Sequence, residues 1–382
     1  MKKGIIIGAG IGGLTTAIAL LKKGIDVSVF EQAKELTDVG AGIWVAPNAM
    51  KVFDKLGIAE DLMKAGTTLD KISVVDLNLR PISTINGSDI KSKHQFATLA
   101  IHRATLLKIL ASYIPSDKII THKKFVSYEQ SEHSVTAEFE DGTRVSADFL
   151  VCADGIQSKG RLQMQPDQHL RYSGQTCWRF VTDFDLPEAE EKNMYEIWSL
   201  KKGLRVGYSK INDREVYVYI TNFEKAGGRD HTPTVQQDLL NLCSEFPAAV
   251  KELILAANPH RIIRNDLYDF KPINQWTDRK TVLVGDAAHA TTPNLGQGAC
   301  QAIEDAYVLA EQLSTCEDIE KSFKLFQEKR ISKATSITNT SWQFAQITNT
   351  SGVIKSLIIG FLRMTPNSIN HQQLDKIYSL DY

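Results

Sequence analysis

Closely spaced cysteines and metal-binding histidine patterns are absent from this sequence of 382 residues. The five cysteines stand far apart, and no two of them are separated by only two residues. Such an odd, scattered set argues against a disulfide framework, a thiolate metal site and a redox-active dithiol. The nine histidines contain no HxxxH or HExxH spacing, so the sequence predicts no metal site.

Strong net charge and long apolar runs are also missing. The formal net charge of −1 provides no overall field for nucleic acid or an anionic membrane. The apolar run at 5–7 ends at Gly8, which is too early for a secretory signal peptide. The late apolar segment at 353–362 is too short to cross a bilayer, and Lys355 interrupts it. We therefore expect a cytoplasmic protein with no nucleic-acid partner and no stable membrane insertion.

The order of apolar patterns predicts an α/β fold with an insertion. Strand-like and helix-like patterns alternate over most of the first 170 residues, as in βαβ units. Between about 170 and 275 the pattern is instead that of strands joined by turns, a mostly antiparallel sheet. The sequence predicts a discontinuous Rossmann-type domain (1–170 and 278–330), an inserted sheet domain that would meet the substrate (171–277) and C-terminal helices (331–382).

The late apolar segment is expected to form one of the C-terminal helices. Leu357, Phe361 and Met364 lie on one stripe of it, and this spacing favours packing against the core. A dimer face or a membrane contact is the alternative. Monomer and homodimer both stay open.

A glycine cluster near the start of the chain, "GIIIGAGIGG", indicates a dinucleotide site. Gly8, Gly10 and Gly13 form GxGxxG between a short strand and a helix, where they permit a tight turn, close approach of a pyrophosphate and close helix packing. The helix N-terminus offers free N–H groups and a positive dipole end to phosphates. Glu31 ends the next strand, where a carboxylate is suited to accept hydrogen bonds from ribose hydroxyls. This stretch alone leaves NAD and FAD both open.

Two later stretches also follow buried strands. "VCADGIQSKGR" turns at Asp154-Gly155, and "VLVGDAAHATTPNLGQGACQAIEDA" leaves its strand at Gly285-Asp286 and enters a helix near Ala299. Asp286 is placed to bond polyol hydroxyls, and the helix N-terminus is placed to stabilise negative charge on a bound ring. An ordinary strand-to-helix turn is the alternative for each stretch. We expect His289, in "GDAAH", to be structural rather than catalytic.

The three motifs, in this order and over nearly the whole chain, resemble the single-component FAD-dependent aromatic hydroxylases of the p-hydroxybenzoate hydroxylase fold. The resemblance implies a Rossmann-type FAD-binding domain. It also implies that FAD is held by the following residues: Gly8, Gly10, Gly12, Gly13, Glu31, Gln32, Ile43, Trp44, Arg103, Val126, Asp154, Asp286, Pro293, Gly296, Gln297, Gly298 and Ala299.

The reaction implied by the resemblance is hydroxylation of a small aromatic or heteroaromatic compound with O2, by way of a C4a-hydroperoxyflavin. The sequence has no second GxGxxG, so NADH or NADPH is expected to reduce FAD as a transiently bound cosubstrate. No two tryptophans stand two positions apart, so the WxWxIP motif of flavin halogenases is missing. An FAD-dependent oxidase or dehydrogenase of amines or amino acids is the alternative enzyme. A flavin-binding protein without turnover is a third possibility.

The inserted sheet is expected to meet the substrate. Arg205 stands on one strand and Tyr217 and Tyr219 on its predicted hairpin partner, where alternate residues share a face. This spacing resembles the branch that contains urate hydroxylase and zeaxanthin epoxidase-like proteins, and it implies that Arg205 and Tyr217 contact the substrate. The alternative is that Tyr217 belongs to the sheet core and Arg205 is a surface cation. Arg179, beside Trp178, is a second candidate cation.

Overall fold

The computed structural model describes residues 2–36, 41–365 and 367–380. Val39 and Gly40, at the start of the predicted extended segment before Ile43, lie outside the described residues. The strands are β1 (Lys3–Ile7), β2 (Asp26–Phe30), β3 (Gly42–Val45), β4 (Thr67–Thr68), β5 (Lys71–Asp76), β6 (Pro81–Asn86), β7 (Leu99–His102), β8 (Ile119–Ile120), β9 (Phe125–Gln130), β10 (Val135–Phe139), β11 (Arg144–Ala147), β12 (Phe149–Cys152), β13 (Leu170–Asp183), β14 (Asn193–Trp198), β15 (Arg205–Lys210), β16 (Glu215–Phe223), β17 (Ile263–Phe270), β18 (Thr277–Asp278) and β19 (Thr281–Leu283). The helices are α1 (Ile11–Lys22), α2 (Pro47–Lys55), α3 (Ala59–Ala65), α4 (Gly87–His94), α5 (Arg103–Ser112), α6 (Lys159–Met164), α7 (Val235–Leu242), α8 (Ala248–Ala256), α9 (Asp286–His289), α10 (Gly298–Thr315), α11 (Ile319–Thr348), α12 (Gly352–Met364) and α13 (Asn367–Tyr378).

The first sheet has the order β18-β19-β12-β1-β2-β8. All neighbouring pairs are parallel except the pair of β18 with β19. Strand β12 and all but the first residue of β1 are buried, which explains why these strands are short apolar runs without alternation. Because the strands are parallel, the chain leaves β1, β12 and β19 at one edge, just before Gly8, Asp154 and Asp286. The predicted Rossmann-type core is confirmed.

The second sheet has the order β17-β13-β16-β15-β14-β5-β6 and is antiparallel except between β14 and β5. The predicted antiparallel insertion is confirmed for β13 to β17. The sheet also takes in β5 and β6, which the sequence assigned to the first segment of the Rossmann-type domain. Pairing between strands so far apart along the chain leaves no trace in local periodicity, so it could not be predicted. The division of the chain at residues 170 and 278 stays a prediction.

Two smaller sheets complete the architecture. One is a meander of β9, β10 and β11, whose second turn lies at Asp141-Gly142, with Gly142 at φ +79°. The other pairs β7 with β3 and β4. Strand β3 is the part of this sheet that reaches the face of the second sheet, since the indole of Trp44 donates a hydrogen bond to Ser209 Oγ over 2.9 Å.

The C-terminal segment is helical, as predicted, but α12 turns a different face inward than expected. Ile359 and Lys355 are its buried residues, and Lys355 Nζ donates to the carbonyl of Lys201 over 2.8 Å. The side chains of Leu357, Phe361 and Met364 are 67–75% exposed, so the expectation of core packing is wrong for this stripe. The three residues do lie on one face of a helix, as their spacing predicts, but this spacing does not determine which face of the helix packs against the rest of the protein. None of the helices in the described ranges is long and apolar enough to span a membrane.

Candidate active site

The glycine turn after β1 is pressed against the chain that leaves β12. Gly8 has φ +98°, and a Cβ on it would lie 2.5 Å from the carbonyl oxygen of Ala153. A Cβ on Gly13 would lie 1.9 Å from the carbonyl oxygen of Gly8. Only glycine fits these two positions, because any side chain would push α1 or the Asp154 segment away from the sheet edge.

Two helix N-termini meet beside this turn. The N-caps of α1 and α10 are Gly10 and Gln297, and neither helix receives a capping hydrogen bond from the N-cap side chain. A Cβ on Gly10 would meet no atom within 4 Å, so the backbone there lies open. The helices approach closely because Gly12 has no side chain: a Cβ on it would lie 3.2 Å from Cβ of Ala302. Their N–H groups and positive dipole ends suit anionic groups of one ligand.

Carboxylates line the same edge. Glu31 accepts hydrogen bonds from the amides of Ala9 over 2.7 Å and Ala33 over 2.8 Å, which fixes it beside the glycine turn. Asp154 accepts from the amide of Lys159 over 2.8 Å through Oδ2, whereas its Oδ1 is buried without a hydrogen-bond partner in the described part of the chain. An unpartnered buried oxygen is costly and points to a missing donor.

Asp286 stands at the end of β19 with an exposed side chain. The protein packed behind it raises the pKa of its carboxyl group, and the charges of His289, Arg103 and Arg161 oppose this rise. The guanidinium of Arg161 is buried and donates to the carbonyl of Ala287 over 3.3 Å, so it joins the segment after β12 to the segment after β19. A Cβ on Gly298 would lie 3.8 Å from Asp286 Oδ1. The carboxylate therefore lies next to the start of α10.

The remaining predicted cofactor residues differ in how far their side chains are exposed. Gln32, Pro293 and Val126 have exposed side chains. Ile43 of β3 pairs with Ile101 of β7, and Gly296, at φ +63°, lies in the turn before α10. No contact of Val126 with the glycine turn is found in the described ranges, so its role stays a prediction. As a set, the two helix N-termini, the carboxylates and the unpartnered Asp154 oxygen fit the phosphates and hydroxyl groups of a dinucleotide.

The face of the second sheet nearest β3 is polar in its centre. Arg205, Gly207 and Ser209 of β15 stand opposite Thr221, Tyr219 and Tyr217 of β16. The ring of Tyr219 lies across Gly207, where an added Cβ would come within 2.1 Å of it. Because the ring crosses β15 at Gly207, the Tyr219 hydroxyl can donate a hydrogen bond to the carboxylate of Glu196 on the next strand, β14. The missing side chain of Gly207 thus makes room for a hydrogen bond that spans three strands.

Arg205 is 2% exposed, so it is not the surface cation of the alternative interpretation. Its Nη1 donates to Glu196 over 3.2 Å and its Nη2 to Asn294 Oδ1 over 2.7 Å. Asn294 belongs to the segment between Asp286 and α10, so Arg205 joins the sheet face to the edge that carries the glycine turns. Sequence reasoning missed both Glu196 and Asn294. The available signal was a glutamate two positions before Trp198, between the hydrophobic residues Tyr195 and Ile197.

Tyr217 does not contact Arg205. Its ring packs on Gly42, where an added Cβ would lie 2.3 Å from it, and its centroid is 6.0 Å from that of Trp44. Burial raises the pKa of the Tyr217 hydroxyl, and the nearby charge of Arg179 opposes this rise only in part, so the phenol is neutral. The guanidinium of Arg179 lies against this hydroxyl and the thiol of Cys177. Arg179 and Arg205 thus have different hydrogen-bond partners on the same sheet face.

A buried ionic network supports the segment between β19 and α10. Asp305 accepts from the amide of Gly285 over 2.9 Å, from Nε of Arg330 over 2.8 Å, and lies 2.6 Å from Nε2 of His289. Arg330 also pairs with Glu304 over 2.7 Å. Burial alone would raise the pKa of Asp305, but the charges of His289 and Arg330 lower it to about 2.

His289 thus has the structural contacts that the sequence favoured for it. Its ring also packs on Trp276, with 5.0 Å between centroids. The sequence did not predict that Glu304, Asp305 and Arg330 form a network in this region. Among the described residues, no three histidine, cysteine, aspartate or glutamate side chains converge in a way that would hold a metal ion.

Several known proteins are similar to this chain. A family model described as "FAD binding domain" matches residues 2–331. The chain belongs to this family. "Aurachin C monooxygenase/isomerase" of Stigmatella aurantiaca is 34% identical over 350 residues, which cover 91% of this chain and 90% of the relative. "FAD-dependent urate hydroxylase" of Klebsiella pneumoniae is 31% identical over 340 residues, covering 86% and 85% of the two chains.

Solved structures give the same result. The crystal structure of Klebsiella pneumoniae HpxO complexed with FAD and uric acid superposes with a TM-score of 0.92 at 27% identity, covering 98% of this chain and 96% of the other. The chain is therefore a FAD-dependent monooxygenase. The resemblance to the urate hydroxylase and zeaxanthin epoxidase-like branch is confirmed. The names of the relatives do not favour the amine or amino-acid oxidase.

Proposed function

We propose that this FAD-dependent monooxygenase uses NADH or NADPH and O2 to hydroxylate a small aromatic or heteroaromatic compound. The compound would bind between the polar face of the second sheet and the flavin ring. The observation that carries this proposal is the 2.7 Å hydrogen bond from Arg205 to Asn294, which holds the sheet face against the segment that leads into α10. Binding of uric acid with FAD in the related HpxO supports a substrate of this size and planarity.

Different residues at the sheet edge would hold different parts of FAD. The N-terminus of α1 would hold the pyrophosphate, and Glu31 the adenosine ribose. Asp286 would accept hydrogen bonds from the ribityl chain, and the N-terminus of α10 would face the ring. Arg103 lies close enough to Asp286 for their charges to interact, so it would approach the same chain. When bound, FAD supplies the electron transfer and oxygen activation, and the protein supplies position and electrostatics.

Tyr217 and Arg205 are proposed to contact the substrate from the sheet side. The neutral Tyr217 hydroxyl offers one donor and one acceptor at the face. The Trp44 side chain extends from β3 toward this face, with its ring centroid 5.6 Å from that of Tyr219, and would offer an aromatic surface to a planar ring. Apolar neighbours in the same cluster, among them Ala41, Met194 and Leu267, would exclude water from the reacting centre.

The visible spectrum of the purified protein under anaerobic conditions tests the class of reaction. We expect flavin bands that NADH or NADPH bleaches, and faster bleaching in the presence of one member of a panel of aromatic acids, phenols and purines. Each compound is measured with both nicotinamides and with neither. If neither NADH nor NADPH bleaches the flavin bands with any compound, the proposed use of NAD(P)H is wrong, and the result favours the FAD-dependent oxidase.

Arg205→Ala is expected to raise KM for the substrate found in this way, or to divert turnover into peroxide. The loss of a charged hydrogen-bond donor corresponds to about a 10- to 100-fold fall in kcat/KM. Nicotinamide oxidation, hydroxylated product and peroxide are measured together. Because the variant leaves Glu196 unpaired in a buried position, the double variant with Glu196→Gln serves as the control for folding. Unchanged kinetics and coupling in both variants would remove Arg205 from the substrate site.

A further inference from the structure

The two arginines on the face of the second sheet carry their charge in different ways. Arg205 is offset by the carboxylate of Glu196 at 3.2 Å. Tyr219 also donates to this carboxylate, so Arg205 belongs to a cluster that already holds a counter-charge. A ligand with a negative charge gains little from such a cluster, because Glu196 cancels the attraction of Arg205.

Arg179, in contrast, is not paired with a carboxylate among the described residues. It stands on β13 directly opposite Tyr219. Its neighbours are the thiol of Cys177 and the hydroxyl of Tyr217, both neutral because burial raises their pKa. The side chain is only half-buried. A guanidinium partly withdrawn from water and without a counter-charge is an unfavourable arrangement that an anion would relieve.

The surroundings of Arg179 add to its positive potential. The charge of Arg103 acts on it, and Arg103 also interacts with Asp286 at the end of β19. Tyr217, which contacts Arg179, packs on Gly42, and Gly42 pairs with His102, the residue before Arg103. Arg179 therefore lies on the part of the sheet face nearest β3 and Arg103. Tyr217 packs against Arg179 on one side and Trp44 on the other, so a donor, a cation and an aromatic surface come together at one place.

We propose that Arg179, and not Arg205, binds a negatively charged substituent of the substrate, with the Tyr217 hydroxyl as second donor. This inference rests on the proposed function and narrows its substrate class to planar aromatic anions, such as ring carboxylates or ionised ring hydroxyls. The planar guanidinium presents paired N–H donors that match two oxygens of a carboxylate. The Arg205–Glu196 pair then contributes hydrogen bonds and shape, without selecting charge.

Ligand titrations of the FAD-loaded enzyme test the inference without turnover. The change in flavin absorbance is followed with matched pairs of probes, benzoate against benzamide and nicotinate against nicotinamide. We expect wild-type enzyme to bind each anion more tightly than its amide. Arg179→Gln should weaken anion binding by about 10- to 100-fold and leave amide binding unchanged, since a charged hydrogen bond is lost. Arg179→Lys should restore part of the preference.

Two comparisons make the result specific. Arg214→Gln removes an exposed arginine from the hairpin turn of the same sheet and should change neither affinity. Arg205→Gln should weaken anion and amide alike. The inference is wrong if wild-type enzyme shows no preference for anions, or if Arg179→Gln keeps the preference. Because the readout is binding, an anion preference that depends on Arg179 stands even where NADH and NADPH fail to bleach the flavin, and only the proposed reaction then fails.

Discussion

Asp286→Ala is expected to yield protein that is mostly free of FAD. The carboxylate lies exposed at the end of β19, beside Gly298 and within reach of the charge of Arg103. Asp305, which also contacts this segment, is buried and already paired with His289 and Arg330, so removal of Asp286 takes away the exposed acceptor proposed for the ribityl hydroxyls. Hydrogen bonds to a charged group contribute about 1.5–3 kcal/mol, which corresponds to roughly 10- to 100-fold weaker binding. The ratio of visible flavin absorbance to protein absorbance after purification measures the effect.

Controls separate a lost contact from a damaged fold. Asp185→Ala removes the same charge from an exposed position after β13 and should retain full FAD. Asp286→Asn keeps the shape and one acceptor oxygen, so its FAD content should fall between those of the wild type and the alanine variant. Full flavin content in Asp286→Ala would show that the stretch after β19 does not bind the cofactor in the proposed way.

Arg330→Met is expected to lower the free energy of unfolding by about 3–5 kcal/mol, since it removes the buried cation that offsets two buried carboxylates. Arg330 is fully buried and pairs with both Glu304 and Asp305. Asp305 in turn fixes the amide of Gly285, immediately before Asp286. Urea denaturation of the apoprotein measures the loss without the contribution of bound FAD.

The adjacent residue of α11 provides the matched control. Lys329 is exposed, and Lys329→Met should change stability by no more than about 0.5 kcal/mol. The double variant Arg330→Met with Glu304→Gln should regain part of the loss, because it removes a buried negative charge that Arg330 no longer offsets. Equal stability of Arg330→Met and Lys329→Met would show that the network does not hold the fold at this point.

The parts of the site that could be predicted are those whose chemistry is contiguous in the chain. The turn at Gly8, the helix after it and the acid at Glu31 lie within one βαβ unit, so local patterns suffice to find them. The same holds for Asp286 and the start of α10, predicted near Ala299 and observed at Gly298. Each of these features can be recognised from the end of one strand and the start of the helix that follows it.

The parts that could not be predicted depend on pairings between distant segments. Strand alternation placed Arg205 and Tyr217 on one face correctly, but it does not reveal that Glu196 lies beside Arg205 or that Asn294 reaches it from another part of the chain. The network around Arg330 joins α10 to α11 in the same way. The charge of a binding face is decided by such neighbours, so substrate preference is harder to predict than cofactor binding.

During translation, β5 and β6 leave the ribosome long before β14, the strand that joins them to the second sheet. Lys71 pairs with Asn193, and translation at about 5–20 residues per second separates two such distant positions by on the order of ten seconds. A two-stranded hairpin is at best marginally stable alone, and its open edges can pair with other chains. The nascent chain is therefore most exposed to misassembly before Asn193 emerges, and slower initiation or chaperone supply should improve the yield of folded enzyme more than changes to the finished fold.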